Sequence, residues 1–80
     1  MNNVDIDFIK QVKTICDKNE ISFDELDFTI SKLMEWIFAF YKFQKRETAK
    51  RKAIFLNDMG MLVSTNKGFR FSEKARDLIK

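Results

Sequence analysis

Residues 47–80 read Glu47-Thr48-Ala49-Lys50-Arg51-Lys52-Ala53-Ile54-Phe55-Leu56-Asn57-Asp58-Met59-Gly60-Met61-Leu62-Val63-Ser64-Thr65-Asn66-Lys67-Gly68-Phe69-Arg70-Phe71-Ser72-Glu73-Lys74-Ala75-Arg76-Asp77-Leu78-Ile79-Lys80. Ala49, Ala53, Leu56 and Met59 or Gly60 recur on one helical face, with Ile54 and Phe55 flanking, so the spacing predicts a basic helix over 47–59. Gly60 suits a left-handed position that closes such a helix. Leu62, Ser64, Phe69 and Phe71 alternate with Val63, Thr65 and Arg70, the period of a β-hairpin over 62–72. Asn66-Lys67-Gly68 reads as its three-residue loop, with the glycine where positive φ is needed. Ser72 then caps a short last helix.

Upstream, Phe8, Ile9, Val12, Ile15 and Cys16 form one apolar stripe of a first helix over about 4–17. Asp5 and Asp7 lie in its first turn, where carboxylates suit the helix dipole. Cys16 sits on the stripe and reads as a small core residue. Ser22-Phe23-Asp24-Glu25 has the spacing of a capping box, with Ile21 and Leu26 placed as a hydrophobic staple. It predicts a long second helix over 23–43, whose Leu26, Ile30, Leu33, Ile37 and Phe40 make a 4-3-4-3 seam. Trp36 and Phe43 share a second face, and Met34, Phe38 and Tyr41 a third. A helix apolar nearly all round is either the central core helix or one that also buries a face in a partner, most simply a second copy.

The composition narrows the function. Residues 1–41 hold four basic and eight acidic side chains, whereas residues 42–80 hold eleven basic and four acidic ones, within a net charge of +3. A basic half on an acidic half is the pattern of a nucleic-acid surface mounted on a scaffold. There is no His and a single Cys, Cys16, so an intramolecular disulfide and the usual histidine-based catalytic arrangements are excluded. No catalytic residues, cofactor motif, metal-ligand spacing or small-molecule site stands out. No apolar run is long enough for a membrane span and the N-terminus lacks a signal-peptide pattern, so a cytoplasmic location is expected. Eighty residues make one domain, 1–80.

The helix 47–59 followed at once by the basic hairpin resembles the C-terminal half of winged helix-turn-helix regulators of the MarR and PadR types. The expected fold is mainly α with a small antiparallel hairpin: helix, long helix, recognition helix, two-stranded wing, short C-terminal helix. Such domains have a short second helix and a tight turn, whereas here a long aromatic helix runs almost directly into the basic one, and the two also read as one bent helix. The resemblance implies a transcription regulator that reads the major groove of double-stranded DNA with Thr48, Lys50, Arg51 and Lys52. Lys42, Lys45 and Arg46 would then meet backbone near the helix start, and Lys67 and Arg70 flanking phosphate or minor groove. The aromatic helix points to a homodimer, for which Met34, Trp36, Phe38, Tyr41 and Phe43 are the expected interface residues. The competing expectation is a non-enzymatic adaptor or inhibitor that binds protein through the aromatic helix 33–43.

Overall fold

A computed structural model describes all of residues 1–80. The first helix, α1 (Asn3–Lys18), starts where the Asn2 side chain accepts the Asp5 amide at 2.9 Å. Its inner face is Phe8, Ile9, Val12 and Cys16, the apolar stripe of the sequence, together with Asp5. Cys16 is buried, and loss of hydration pushes its thiol up, reinforced by the Asp17 charge and opposed by Lys13.

The chain then departs from expectation. Phe23–Glu25 is a single 3₁₀ turn, and Ser22 makes no side-chain capping bond. The capping-box spacing is present but no helix follows it, and Ile21 is exposed, with no helix to staple. Tertiary contacts override the local signal. Phe28 is extended and exchanges backbone hydrogen bonds with Phe69 at 2.8 Å in both directions, which a helical residue cannot do. Phe23 and Phe28 lay their rings against Phe71, with centroids 5.1 and 5.0 Å away.

The second helix, α2 (Ile30–Tyr41), therefore begins seven residues later than predicted, at a cap formed by Thr29, whose hydroxyl accepts the Lys32 amide at 3.1 Å. It ends at Lys42, which adopts the left-handed conformation, φ 57°. Phe43, expected inside this helix, lies beyond it and stacks on Tyr41 at 5.1 Å. After this turn α3 (Arg46–Asp58) begins, so α2 and α3 are two helices and not one bent helix. Gly60 follows α3 with φ 79°, as the sequence indicates.

The hairpin pairs β1 (Leu62–Thr65) with β2 (Gly68–Phe71) antiparallel, Leu62 opposite Phe71 and Thr65 opposite Gly68. The loop is thus two residues, Asn66 and Lys67, and Gly68 belongs to the strand. Glycine is required there for two reasons. Its φ is +143°, and a Cβ would come within 2.5 Å of the Phe28 carbonyl oxygen. The last helix, α4 (Glu73–Leu78), is capped by Ser72, whose hydroxyl accepts the Ala75 amide at 3.2 Å and donates to the Gly60 carbonyl. A single core draws on every one of these elements, and Phe8, Ile9, Leu33, Ile37, Leu56, Met61 and Phe71 are wholly enclosed. The fold is mainly helical with one small antiparallel hairpin, as expected.

Candidate nucleic-acid interface

Helix α3 lies between the core and solvent, and its periodicity divides its side chains sharply. Ala49, Ala53 and Leu56 are buried, and the two alanines let the backbone approach α2 closely. On the opposite face Glu47, Arg51, Ile54 and Asp58 recur at spacings of 4, 3 and 4 and are exposed. Thr48 and Lys50 are also exposed, as are Lys45 and Arg46 at the helix start and Lys67 at the hairpin tip.

The distribution of ion pairs separates the cations into two groups. Lys13, Lys32, Lys52, Arg70, Arg76 and Lys80 each have a carboxylate within reach. The other nine have none: Lys10 and Lys18 lie on α1 and Lys74 on α4, whereas Lys42, Lys45, Arg46, Lys50, Arg51 and Lys67 gather on the α2–α3 turn, the first half of α3 and the hairpin tip. Glu47 and Arg51 are placed one helical turn apart, yet no ion pair joins them, so both groups stay free. The unpaired cations outnumber the free carboxylates of α3, Glu47 and Asp58, and an excess of positive charge on one surface raises the local potential and attracts polyanions.

Two of the residues expected to face DNA are engaged within the protein. The Lys52 ammonium lies 3.0 Å from Asp5 Oδ1 and 5.0 Å from the ring centroids of both Tyr41 and Phe55, and its side chain is only 22% exposed. The physical reason is the helix period: position 52 sits beside Ala49, Ala53 and Leu56, so its stem runs along the core and its head reaches α1. Arg70 donates to Asp27 at 2.9 Å, from the strand to the segment before α2. That pair is partly exposed and contributes less than about 1 kcal/mol.

Asp5, which the sequence marks only as a first-turn carboxylate, is buried in the structure. Its side chain is 1% exposed, and one oxygen accepts both the Tyr41 hydroxyl and the Lys52 ammonium. Its other oxygen, Oδ2, has no hydrogen-bond partner. Burial, and then the hydrogen bond to Asp5, push the Tyr41 hydroxyl far above its ordinary range, so it stays protonated and donates. The cluster joins the start of α1, the end of α2 and the middle of α3, and so fixes the angle at which α3 is presented. A signal for Asp5 existed. It falls three residues before Phe8, four before Ile9 and seven before Val12, on the apolar stripe itself.

The aromatic residues of α2 divide in the same way. Met34 is in the core, and the Tyr41 hydroxyl is committed to Asp5. Trp36, Phe38 and Phe43 are half-buried and pack against the core, Trp36 edge-on to Phe28 at 5.2 Å. Between α1 and α2 lie two apolar grooves of about 220 and 460 Å³ that share Ile15 and Trp36. A third, of about 180 Å³, runs between α3 and the hairpin, bounded by Ile30, Lys50, Ile54, Asn57, Leu62 and Phe69. Nowhere do three cysteine or carboxylate side chains gather as a metal site would need, and no helix is long and apolar enough to cross a membrane.

No protein-family model matches this chain, and neither does any curated protein or solved structure.

Proposed function

We propose that this chain is a DNA-binding protein of the winged helix-turn-helix kind, a small cytoplasmic transcription regulator that works as a homodimer. The observation that carries the reading is the gathering of unpaired cations on the α2–α3 turn, the first half of α3 and the hairpin tip, while cations elsewhere are largely paired. A helix of 13 residues, exposed along one side, has the dimensions to enter a major groove. α2, at 12 residues, is shorter than the sequence suggested and a turn separates it from α3, which supports the reading. Lys50 and Arg51 would meet base edges or phosphate, Thr48 a phosphate, and Lys42, Lys45, Arg46 and Lys67 the backbone on either side. Lys52 and Arg70 would hold the surface in shape from behind.

Dimerisation is supported by the paired grooves around Ile15 and Trp36, which open on the α1 side of α2, away from the groove that holds Lys50. The same grooves support the competing reading of a non-enzymatic adaptor or inhibitor that takes a partner protein on the aromatic helix. Salt separates the two. Each phosphate neutralised by Lys or Arg releases counterions, so DNA affinity falls linearly in log–log form with salt, by about 0.9 per contact. Titrating a fluorescent mixed-sequence duplex at low and moderate salt, with the oligomeric state followed by sedimentation, should give micromolar binding that collapses as salt rises. Absence of binding at low salt would reject the DNA reading and leave the protein-binding one.

A further inference from the structure

The outward face of α3 carries one feature that a purely electrostatic surface does not need. Ile54 is 51% exposed, one helical turn from Lys50, Arg51 and Asp58, and forms part of the wall of the groove that Ile30, Leu62 and Phe69 share. Phe55 beside it is 38% exposed and lies 5.0 Å from the Lys52 ammonium, so Ile54 is the more open of the two apolar side chains. A second copy of the chain is the poorer occupant, because the exposed cations here, Lys45, Arg46, Lys50 and Arg51, outnumber the free Glu47 and Asp58 that a copy could set against them. A polyanion neutralises them. In the major groove of DNA the apolar group on offer is the C5-methyl of thymine, which accepts aliphatic side chains from a recognition helix.

We infer that Ile54 is a specificity-determining residue that reads thymine C5-methyl groups, so that the preferred site carries thymine where the middle of α3 enters the groove. The inference rests on the DNA-binding reading above. Arg51, three residues earlier on the same face, donates to guanine O6 and N7 or to phosphate, and Glu47 before it can accept from cytosine N4. Donor, acceptor and methyl contact then lie along a single stripe, and Ile54 supplies the only apolar element within it.

The test uses two duplexes, one of alternating A·T pairs and one in which deoxyuridine replaces every thymidine. Charge and hydrogen-bonding edges are the same in both, and only the methyl is missing. The wild-type chain should bind the uracil duplex roughly fourfold more weakly for each methyl that Ile54 covers. Ile54→Gln should bring the ratio close to one while leaving the salt dependence and the helical circular dichroism unchanged. Ile54→Ala, which keeps a single methyl, should fall between. Salt-dependent binding with equal affinity for the two duplexes would overturn the inference and leave the DNA reading standing. So would a ratio that survives Ile54→Gln, since discrimination would then come from DNA shape. Absence of binding to either duplex at low salt would overturn both.

Discussion

Arg51 and Lys52 stand one position apart, carry the same charge, and face opposite environments. Arg51 is exposed and free of any carboxylate, whereas Lys52 lies over two aromatic rings with its ammonium on the buried Asp5. One step along a helix turns a side chain by about 100°, enough to carry it from the solvent face to the flank of the core. Within a basic run, therefore, the count of charges says how strongly a surface attracts a polyanion, but the phase of each residue says which cations are available to do so. The outer face of α3 is open to solvent with its cations unpaired, and the inner face ties the helix to the core and to α1.

The strongest test of this division is Asp5→Ala. It leaves Lys52 without its partner and Tyr41 without its acceptor, and should cost about 3–5 kcal/mol in a urea unfolding experiment, the usual loss when one member of a buried pair is removed. A cost under about 1 kcal/mol would mean that the cluster does not hold α3. Replacing both charges, Asp5→Leu with Lys52→Met, should recover most of that loss, because apolar groups of similar volume often match a buried ion pair. Losses that simply add would show that the two residues act independently.

Tyr41 gives the same cluster a pH signature. Its folded pKa is raised, so above pH ~10 the unfolded chain releases the phenolic proton while the folded chain keeps it. Its contribution is thus fully present below about pH 10 and is lost as pH rises through the range above. Tyr41→Phe should flatten that alkaline decline, and an unchanged slope would remove Tyr41 from the cluster. Arg51→Ala, at the other extreme, should change stability by less than about 0.5 kcal/mol. It should also lower the salt slope of duplex binding by about 0.9, one phosphate contact or its equivalent.

The periodic parts of the fold were legible. The stripe of α1, the alternation of the hairpin, the Gly60 stop and the Ser72 cap are each written in short-range spacing, and the structure realises all four. What misled was the segment 22–29, where the spacing of Ser22 and Glu25 fits a helix start but Phe23 and Phe28 gain more by meeting Phe71 and Phe69. That gain depends on residues more than forty positions away, to which local spacing is blind. The basic residues of the candidate surface were all identifiable from charge, but their sorting was not, because the Asp5–Lys52 pair spans 47 positions. The phase of Lys52 against Ala49, Ala53 and Leu56 is the one clue that could have separated it from Arg51.

The backbone bridge at Phe28 also sets the entropy of the hairpin. Phe69, one residue from the tip, is tied to Phe28 on one side and to Ser64 on the other, and only Asn66 and Lys67 extend past the last cross-strand pair. Ordering a loose loop at an interface costs about 1–2 kcal/mol for each residue whose backbone must be fixed. Here that ordering is complete in the free protein for all but two residues, so the hairpin meets any partner as a stiff strut, already in the shape that it keeps.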